Sequence, residues 1–455
     1  MAREHSPGTK LALTMLVGLI LCIPLFSVWL LVYDRQSQSE AAHTSIAEGW
    51  GGPQKMAGPV LVIPYKVTTS ETVTESNRLV TRSQTVWKQL VLAPEAVQLD
   101  TQVTPQERER SIYKAVVYEA QLSGRSKFAI PSDLRRFGVA VADMALDRAE
   151  LRFGLSDPRG LYGQPPRVSL GGAPLRLQPG GGAGATGGSG FFAWVDARSL
   201  AAAALVVDYA YSFRGNGQLA LIPQAGDTQW RVRSTWPSPS FQGGFLPVRR
   251  NVDAQGFDAR YRVGNLALGA SLISTDRDAP AAGASDNSSA ASAAEARIDL
   301  VQPVDLYSQV DRAAKYGFLF IGFTFLAFLL FDVIGGVRVT PVEYLLVGAA
   351  LVLFFVLLLA FAEVTGFTPA YLVASAAIVG LNTAYSAAVL KSWRRAAMIG
   401  GLLTALYGVL YVLLSLEAFS LLIGSLMLFV ALAAVMYLTR NLNWGDKETE
   451  EPTSY

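Results

Sequence analysis

Six long apolar segments constrain this chain more than any other feature, because a globular core seldom uses uncharged runs of such length. The first covers residues 11–33, which is 23 residues without a charged side chain. At about 1.5 Å per residue, a helix of that length crosses a hydrocarbon core about 30 Å thick. Five further runs lie at residues 316–331, 344–362, 369–390, 396–416 and 418–439. The sequence predicts a multi-pass α-helical membrane protein with one N-terminal and five C-terminal helices.

The first apolar run is expected to be a permanent anchor. A cleaved signal peptide is the alternative, but the run exceeds the usual apolar region of such a peptide and no small-x-small site closes it. Composition agrees with a membrane class, since 51% hydrophobic and 16% charged residues are too apolar for a purely soluble chain. We therefore assign residues 11–33 to the first transmembrane helix.

Lysine and arginine in the short connections predict the orientation, because these residues resist translocation while acidic residues matter little. The short turns on one side carry only Glu363 and Glu417 as charged residues. The segments on the other side carry Arg3, Lys10, Arg338, Lys391, Arg394, Arg395, Arg440 and Lys447. The sequence thus predicts a cytoplasmic N-terminus (residues 1–10), a five-helix domain (residues 316–439) and a cytoplasmic tail (residues 440–455).

Residues 34–315 contain no apolar run that could cross a bilayer, which predicts a large β-rich (α+β) domain outside the cytoplasm. β-branched and aromatic runs bounded by Pro, Gly or Asp predict strands at residues 58–65, 85–94, 111–122 and 149–156. One helix is expected across residues 131–150, with Ser132 as its N-cap. Two segments poor in large apolar residues, near 178–190 and 278–296, are expected to be flexible linkers.

A three-stranded meander is predicted from residue 206 onwards. Asn216 and Gly217 in "RGNG" are typical of a tight hairpin turn between two strands. In the third strand, "TQWRVRSTW", alternation places Trp230, Val232 and the residues in phase with them, through Trp236, on the buried face. The arginines of that strand are expected on the opposite face.

The uncharged loop "STWPSPSFQGGFLP" at residues 234–247 follows this strand. Pro237 ends the strand because proline has no N–H to donate to a neighbour. Two interpretations stay open for the loop. It is either a packed corner in which Phe241, Phe245 and Leu246 cover the strand end beside Trp236, or an exposed aromatic patch that meets a partner or a membrane. Trp236, Phe241 and Phe245 are therefore candidate interaction residues.

No arrangement of residues for a known chemistry stands out. The two histidines, His5 and His43, lie on opposite sides of the first helix, and no G-x-S-x-G motif accompanies them, so a Ser-His-Asp triad is disfavoured. Cys22 is the single cysteine, which removes internal disulfides and thiolate metal sites. A formal charge of +2 gives no field for nucleic acid. We expect no cofactor, no metal and no nucleic-acid partner.

Two polar features fall within or beside the apolar runs. Asn382, Thr383 and Ser386 are close together in the predicted helix at residues 369–390, where polar side chains usually bond neighbouring helices. Glu363 lies at a helix end, where water can solvate it. Glu363 and Asn382 remain candidate interaction residues for the alternative function, a membrane enzyme or transporter that acts on a lipid-linked or cell-wall precursor.

Several ordered motifs resemble one known family. They are "GPQKMAGPVLVIP" (residues 52–64), "SDPRGL" (156–161), "STWPSPSFQGGFLP" (234–247), "VDRAAKYGFLF" (310–320), "PVEYLLVGAALVLFFVLLLAFAEVTGF" (341–367) and "AVLKSW" (388–393). Together they resemble the CreD family of inner-membrane, cell-envelope-integrity proteins, from the first helix to Arg440. The Gly- and Ala-rich linkers lie outside the resemblance.

The resemblance implies a bacterial inner-membrane protein of the envelope-stress response, in a family linked to a two-component regulatory system and without an accepted enzymatic activity. It carries no catalytic residues over to this chain. It also places residues 34–315 in the periplasm. The preferred hypothesis is non-enzymatic binding of an envelope protein or a cell-wall component, with the lipid bilayer as the second partner.

Overall fold

The computed structural model describes residues 7–75, 78–110, 113–275, 294–300, 306–333, 339–415 and 420–440. The chain divides into two units: residues 1–40 with 304–455 form a helical unit, and residues 41–303 form a β unit. Residue 286 and the rest of the second expected linker up to residue 293 lie outside the described residues.

Long apolar helices build the helical unit. α1 spans Pro7–Trp50, and the C-terminal helices are α2 (Leu306–Lys315), α3 (Gly317–Val333), α4 (Pro341–Thr365), α5 (Phe367–Val389), α6 (Trp393–Ser415) and α7 (Ser420–Thr439). Within the described residues, five segments are long and apolar enough to cross a membrane: Leu11–Ile46, Leu306–Leu330, Pro341–Thr365, Phe367–Val389 and Trp393–Leu414. With α7 as a further apolar helix, the predicted fold class of one N-terminal and five C-terminal helices plus a β-rich region is confirmed.

Aromatic side chains fill the centre of the helical unit. Phe354 on α4 lies 5.6 Å from the Tyr371 ring on α5 and 4.6 Å from the Tyr407 ring on α6. The Tyr371 hydroxyl donates a 2.6 Å hydrogen bond to the Tyr407 carbonyl. Phe320 on α3 lies 4.8 Å from the Tyr407 ring. These contacts join four helices, because large rings reach across the spaces between helix axes.

The boundary expected at residues 34 and 315 differs from the structure. α1 continues to Trp50, because the residues after Tyr33 are mostly helix-permissive and contain no proline or glycine before Gly49. α2 begins at Leu306, inside the segment that was expected to be part of the exported domain. The β unit consequently covers residues 41–303 rather than 34–315.

The β unit contains two sheets in its described part. The strands are β1 (Gln54–Glu75), β2 (Arg78–Leu92), β3 (Ala96–Arg110), β4 (Tyr113–Phe128), β5 (Ala149–Leu155), β6 (Arg167–Leu170), β7 (Ala173–Pro174), β8 (Leu177–Pro179), β9 (Gly190–Val195), β10 (Leu205–Asn216), β11 (Gln218–Ile222), β12 (Asp227–Ser234), β13 (Pro239–Gly243), β14 (Arg249–Asp253), β15 (Gly256–Gly264), β16 (Ile273–Thr275) and β17 (Ala296–Leu300). A single helical turn lies at Asn265–Leu268.

Sheet A has the order β13-β17-β11-β1-β5-β9-β8, and β2 and β16 extend it from β1. Sheet B has the order β14-β15-β12-β3-β4-β10-β6-β7. Two long antiparallel hairpins, β1 with β2 and β3 with β4, contribute to different sheets. Each of the four strand predictions falls on a strand, namely β1, β2, β4 and β5.

One hydrophobic core lies between the two sheets. Leu61 and Phe153 face it from sheet A, and Tyr118 and Trp230 face it from sheet B. The alternation predicted for β12 is confirmed, because Trp230, Val232 and Ser234 are buried while the intervening side chains are not. Burial of one face of each sheet fixes the strand register, since a one-residue slip would turn the apolar set outwards.

The predicted meander is wrong. β10 pairs with β4 and β6 in sheet B, whereas β11 pairs with β1 and β17 in sheet A. β12 then returns to sheet B beside β3. Gly217 has a φ of 56°, which glycine adopts without strain, and it lets the chain pass from one sheet to the other. "RGNG" is therefore a crossover between sheets instead of a hairpin turn.

The single helix expected across residues 131–150 is also wrong. Three 3-10 turns, Leu134–Phe137, Val141–Asp143 and Leu146–Arg148, take its place, and Asp133 precedes the first turn without a side-chain cap. Met144 forms a β-bridge with Tyr65, and the Ala145 N–H donates to the Pro64 carbonyl at 2.8 Å. These two contacts attach the segment to β1 beyond the end of its pairing with β5.

The glycine-rich segment at residues 178–190 is packed against sheet A and is not a free linker. It contains the end of β8, a 3-10 turn at Gly184–Thr186 and the start of β9. The Thr186 hydroxyl donates to the carbonyls of Ala183 and Ser189 at 3.0 and 2.7 Å. Ala183 is fully buried against Ala57 and Val60. Small residues here allow close backbone packing.

Candidate functional site

A groove of about 950 Å³ lies on the outer face of sheet B. Five arginines line it, and they come from strands distant in sequence: Arg125, Arg231, Arg249, Arg260 and Arg262. Two aspartates, Asp100 and Asp208, also line it. Strand alternation explains the arrangement, because the side chains that flank these residues face the core and the charged ones face outwards.

Strand pairing brings three of these arginines into one row. Arg249 on β14 is directly opposite Arg260 on β15, and Arg260 is directly opposite Arg231 on β12. Arg231 is in turn paired with Asp100 on β3. Adjacent strands are about 4.8 Å apart, so the three arginines begin within reach of one another.

Ion pairs neutralise only part of this charge. Asp258 lies 2.5 Å from Arg231 and 3.8 Å from Arg260, so one carboxylate serves two guanidinium groups. The hydrogen bond from Arg231 holds the pKa of the Asp258 carboxyl below its usual value, and the carboxylate stays ionised. Arg233 is paired with Asp100 at 2.8 Å.

The two flanks of the groove are balanced. Arg262 is paired with Asp227 at 3.0 Å, and Arg125 is paired with Asp208 at 2.6 Å. The hydrogen bond from Arg262 lowers the pKa of the Asp227 carboxyl. Arg249, on the edge strand, makes no ion pair within the described residues. The excess positive charge is therefore concentrated on the β14–β15 side, where an anionic group would be stabilised.

The floor of the groove is rigid. Trp230 is 1% exposed, its indole N–H donates to the Thr101 hydroxyl at 3.0 Å, and its ring stacks on Tyr261 at 5.0 Å. Burial raises the pKa of the Tyr261 hydroxyl well above its usual value, so this group stays neutral. The arginines above are thus fixed at their Cα positions by a packed layer.

The loop at residues 234–247 leads into the arginine-bearing edge strand. Trp236, Phe241 and Phe245 are partly buried and pack against the main core, and Phe241 meets the Phe257 ring edge-on at 5.8 Å. The Arg250 guanidinium lies 5.7 Å from the Phe241 ring. Of the sequence candidates, these three aromatics support the backbone that carries β14.

Sequence reasoning missed the arginine row. Alternation predicts the outward face for the arginines of β12, but the row also needs Arg260 and Arg249, which come beside them only because β12 pairs with β15 and β15 pairs with β14. The pair "RR" at residues 249–250, directly after an apolar loop, is the local signal that could have pointed to it.

The motif "SDPRGL" has a structural role. Gln54 is fully buried, and its amide N–H groups donate to the carbonyls of Asp157 and Arg214 at 3.0 and 2.8 Å. Its amide oxygen accepts from the Asp157 N–H at 3.2 Å and from the Ser156 hydroxyl at 3.3 Å. One side chain therefore joins the start of β1 to the turn at residues 156–161 and to β10.

A stack of rings and guanidinium groups holds Trp50, which precedes β1. Arg214 and Arg108 lie 4.1 and 4.4 Å from the Trp50 ring. Arg214 also lies 4.4 Å from the Tyr162 ring and pairs with Glu119 at 3.0 Å. Burial, with a smaller effect from the hydrogen bond to Glu119, raises the pKa of Tyr162 to about 12, so its hydroxyl remains a donor. The stack holds Trp50 against sheet B within the β unit.

Glu363 is positioned within the helical unit at the C-terminal end of α4. The Tyr307 hydroxyl on α2 donates to its carboxylate at 3.3 Å, and Arg35 on α1 lies 3.9 Å away. The side chain is 13% exposed. These partners hold Glu363 between three helices, which is the arrangement expected of a structural ion pair.

Asn382 lies elsewhere in the helical unit. It is 1% exposed on α5, and the Ser386 hydroxyl donates to its backbone carbonyl at 2.6 Å, a bond within the same helix. The Asn382 amide nitrogen and the Thr383 hydroxyl have no hydrogen-bond partner among the described residues. The expected polar bond between helices is thus not observed for this side chain in the described part of the chain.

In the described part of the chain, no group of three or more His, Cys, Asp or Glu side chains is placed to hold a metal ion. The fold and the groove define a class: a multi-pass helical membrane protein that carries a two-sheet β unit with a cationic outer face. The family model "Inner membrane protein CreD" matches residues 6–445. The chain belongs to the CreD family.

One relative is the inner membrane protein CreD of Escherichia coli (strain K12). This chain is 32% identical to it over 431 residues, which covers 94% of this chain and 91% of the relative. The aligned length therefore includes both the apolar helices and the β unit of this chain.

Proposed function

We propose that this CreD-family protein contributes to cell-envelope integrity and to the response to envelope stress, and that it does so by non-enzymatic binding of an envelope component. The observation that carries this proposal is the groove of about 950 Å³, where Arg231 and Arg260 share Asp258 and Arg249 makes no ion pair within the described residues. A groove with a packed floor and an excess of positive charge favours recognition of an anionic ligand.

The proposal places the β unit in the periplasm, with both chain termini in the cytoplasm. The distribution of Lys and Arg over the short connections supports this orientation. The membership of an inner-membrane family supports the compartment. A groove in the periplasm would be accessible to a ligand of the cell envelope.

Reporter fusions test the orientation. Alkaline phosphatase fused after residue 190 or 286 is expected to be active, because that enzyme folds only outside the cytoplasm. Green fluorescent protein fused after residue 395 or 440 is expected to fluoresce in the same cells. A fluorescent, phosphatase-negative pattern at residue 190 would invert the topology and remove the groove from the periplasm.

Charge reversal in the groove tests the binding function in cells. The test uses cells whose CreD-family protein is this chain. In these cells, Arg249→Glu with Arg260→Glu is expected to raise detergent sensitivity to that of cells that lack the protein. Both side chains are exposed, so folding and membrane abundance should be preserved. The matched control is Arg135→Glu with Arg136→Glu, which changes the same charge on an exposed 3-10 turn outside the groove.

Two further variants separate binding from the enzyme or transporter alternative. Glu363→Gln and Asn382→Ala should keep wild-type detergent resistance, because Glu363 is held by helix contacts and the Asn382 amide nitrogen makes no bond within the described residues. Loss of resistance in these variants at unchanged abundance, with normal resistance in the groove variant, would favour the alternative and contradict the proposal.

A further inference from the structure

The arginine row is an unfavourable arrangement for an isolated sheet. Like charges directly opposite each other on neighbouring strands are destabilising. Arg249 and Arg260 are so paired, as are Arg260 and Arg231. Asp258 compensates two of the three, and Arg249 has no ion pair among the described residues. A sequence that breaks a pairing rule on a rigid scaffold usually does so for a ligand.

The spacing of the row suits a phosphate group. The guanidinium group offers two parallel N–H donors that match two phosphate oxygens, and it keeps its charge at any physiological pH. Arg249 and Arg260 start from adjacent strands and are both exposed. Two such groups can hold one phosphate or diphosphate from two sides while Asp258 keeps Arg231 in place behind them.

One apolar side chain lines the groove beside Arg249, and a second lies two residues before it in the chain. Leu246 is 62% exposed and Val248 is 69% exposed, so two apolar side chains are open to solvent just before Arg249. Val248 lines the groove, and its N–H donates to the Arg260 carbonyl at 2.8 Å. That bond fixes an apolar surface directly next to the cationic one, and the combination fits a molecule with an anionic head and an apolar tail.

From these observations we infer that the groove binds the phosphate group of an amphipathic lipid, with Arg249 and Arg260 holding the phosphate and Leu246 and Val248 contacting the apolar chain. This inference rests on the proposed function and specifies its ligand class. The shared chemistry is a phosphomonoester or diphosphate anion, and a free phosphate compound is the other source of the same group.

Calorimetric titration of the full chain in phosphatidylcholine nanodiscs tests the inference. The three probes are dihexanoylphosphatidic acid below its micellar concentration, inorganic pyrophosphate and dihexanoylphosphatidylcholine. Phosphatidic acid should bind, and phosphatidylcholine should not. Arg249→Gln with Arg260→Gln should weaken binding by about tenfold or more, since hydrogen bonds to charged groups are the strong ones. Raising the salt concentration should weaken it further.

Matched variants test the contributions of the arginines and of the apolar side chains separately. Arg135→Gln with Arg136→Gln, which removes the same charge elsewhere, should bind like the wild type. Arg249→Lys with Arg260→Lys should fall between wild type and the Gln variant, because lysine keeps the charge and loses the paired donors. Leu246→Ser with Val248→Ser should weaken the lipid probe and leave pyrophosphate unaffected.

Four results would overturn the inference, and a fifth would overturn the proposed function. Equal binding of phosphatidic acid and phosphatidylcholine would show that the groove does not recognise the phosphomonoester. Wild-type binding in the Arg249→Gln, Arg260→Gln variant would show that these two arginines do not hold the ligand. Pyrophosphate binding as tight as the lipid overturns the lipid source. If the groove variant loses envelope integrity in cells while neither phosphate probe binds, the ligand class is wrong and the binding function stands. If the probes bind but the cells are unaffected, the proposed function is wrong.

Discussion

Trp230→Ala is expected to destabilise the β unit by about 3–5 kcal/mol, the range for removal of a large buried aromatic side chain. The ring is 1% exposed, stacks on Tyr261 and donates to Thr101. Its loss leaves a cavity under sheet B and an unpaired hydroxyl. Pulse proteolysis of the purified full chain across a urea series measures the effect, and the midpoint should fall by about 1 M or more.

Two other tryptophans provide graded controls for this experiment. Trp194 is 58% exposed on sheet A, and its replacement by Ala should change stability by no more than about 0.5 kcal/mol. Trp236 is partly buried against the core, so Trp236→Ala should give an effect between those of the other two. Equal midpoints for the Trp230 and Trp194 variants would contradict the packing of the two-sheet core.

Periodicity made both the helices and the buried strand faces predictable. An apolar run of 20 or so residues has few alternatives to a spanning helix, and alternation in β12 is a local property of eight residues. The positions of Trp230 and Val232 followed from it. Such features need only neighbouring residues, so one sequence is enough to find them.

Strand partners were not predictable in the same way. Asn216 and Gly217 carry a hairpin pattern, but β10 and β11 enter different sheets because their best partners, β4 and β1, are far away in sequence. The arginine row depends on the same choice, since Arg231 and Arg249 meet only through β15. Non-local pairing decides the site, and a single sequence carries no direct record of it.

Some of the motifs behind the family resemblance stabilise the fold, and one lies beside the groove. "GPQKMAGPVLVIP" and "SDPRGL" lie about a hundred residues apart, and Gln54 bonds to Asp157 across a separation of 103 residues. These motifs are therefore explained by the junction that starts β1. The loop at residues 234–247 packs its aromatics on the core and ends beside Arg249, which links that motif to the groove.

Gln54→Leu is expected to be the most disruptive change at the β1 junction. The substitution keeps the approximate volume but leaves the carbonyls of Asp157 and Arg214 and the Asp157 N–H without their partner. Each buried polar group left unpaired costs about 1–3 kcal/mol, so the variant should lose about 3 kcal/mol or more. The same urea series with pulse proteolysis measures the loss.

Further substitutions at and around Gln54 test the same junction. Gln54→Glu should be comparably harmful, because a carboxylate cannot donate to the two carbonyls that the amide N–H groups serve. Gly160→Ala should act on the same junction, since an added Cβ would lie 2.5 Å from the Arg214 carbonyl oxygen and 2.6 Å from the Gln54 amide nitrogen. Gln121→Leu, on an exposed position of β4, is the matched control. If Gln54→Leu unfolds at the same urea concentration as Gln121→Leu, the junction does not depend on this side chain, and the motif "SDPRGL" needs a functional explanation instead.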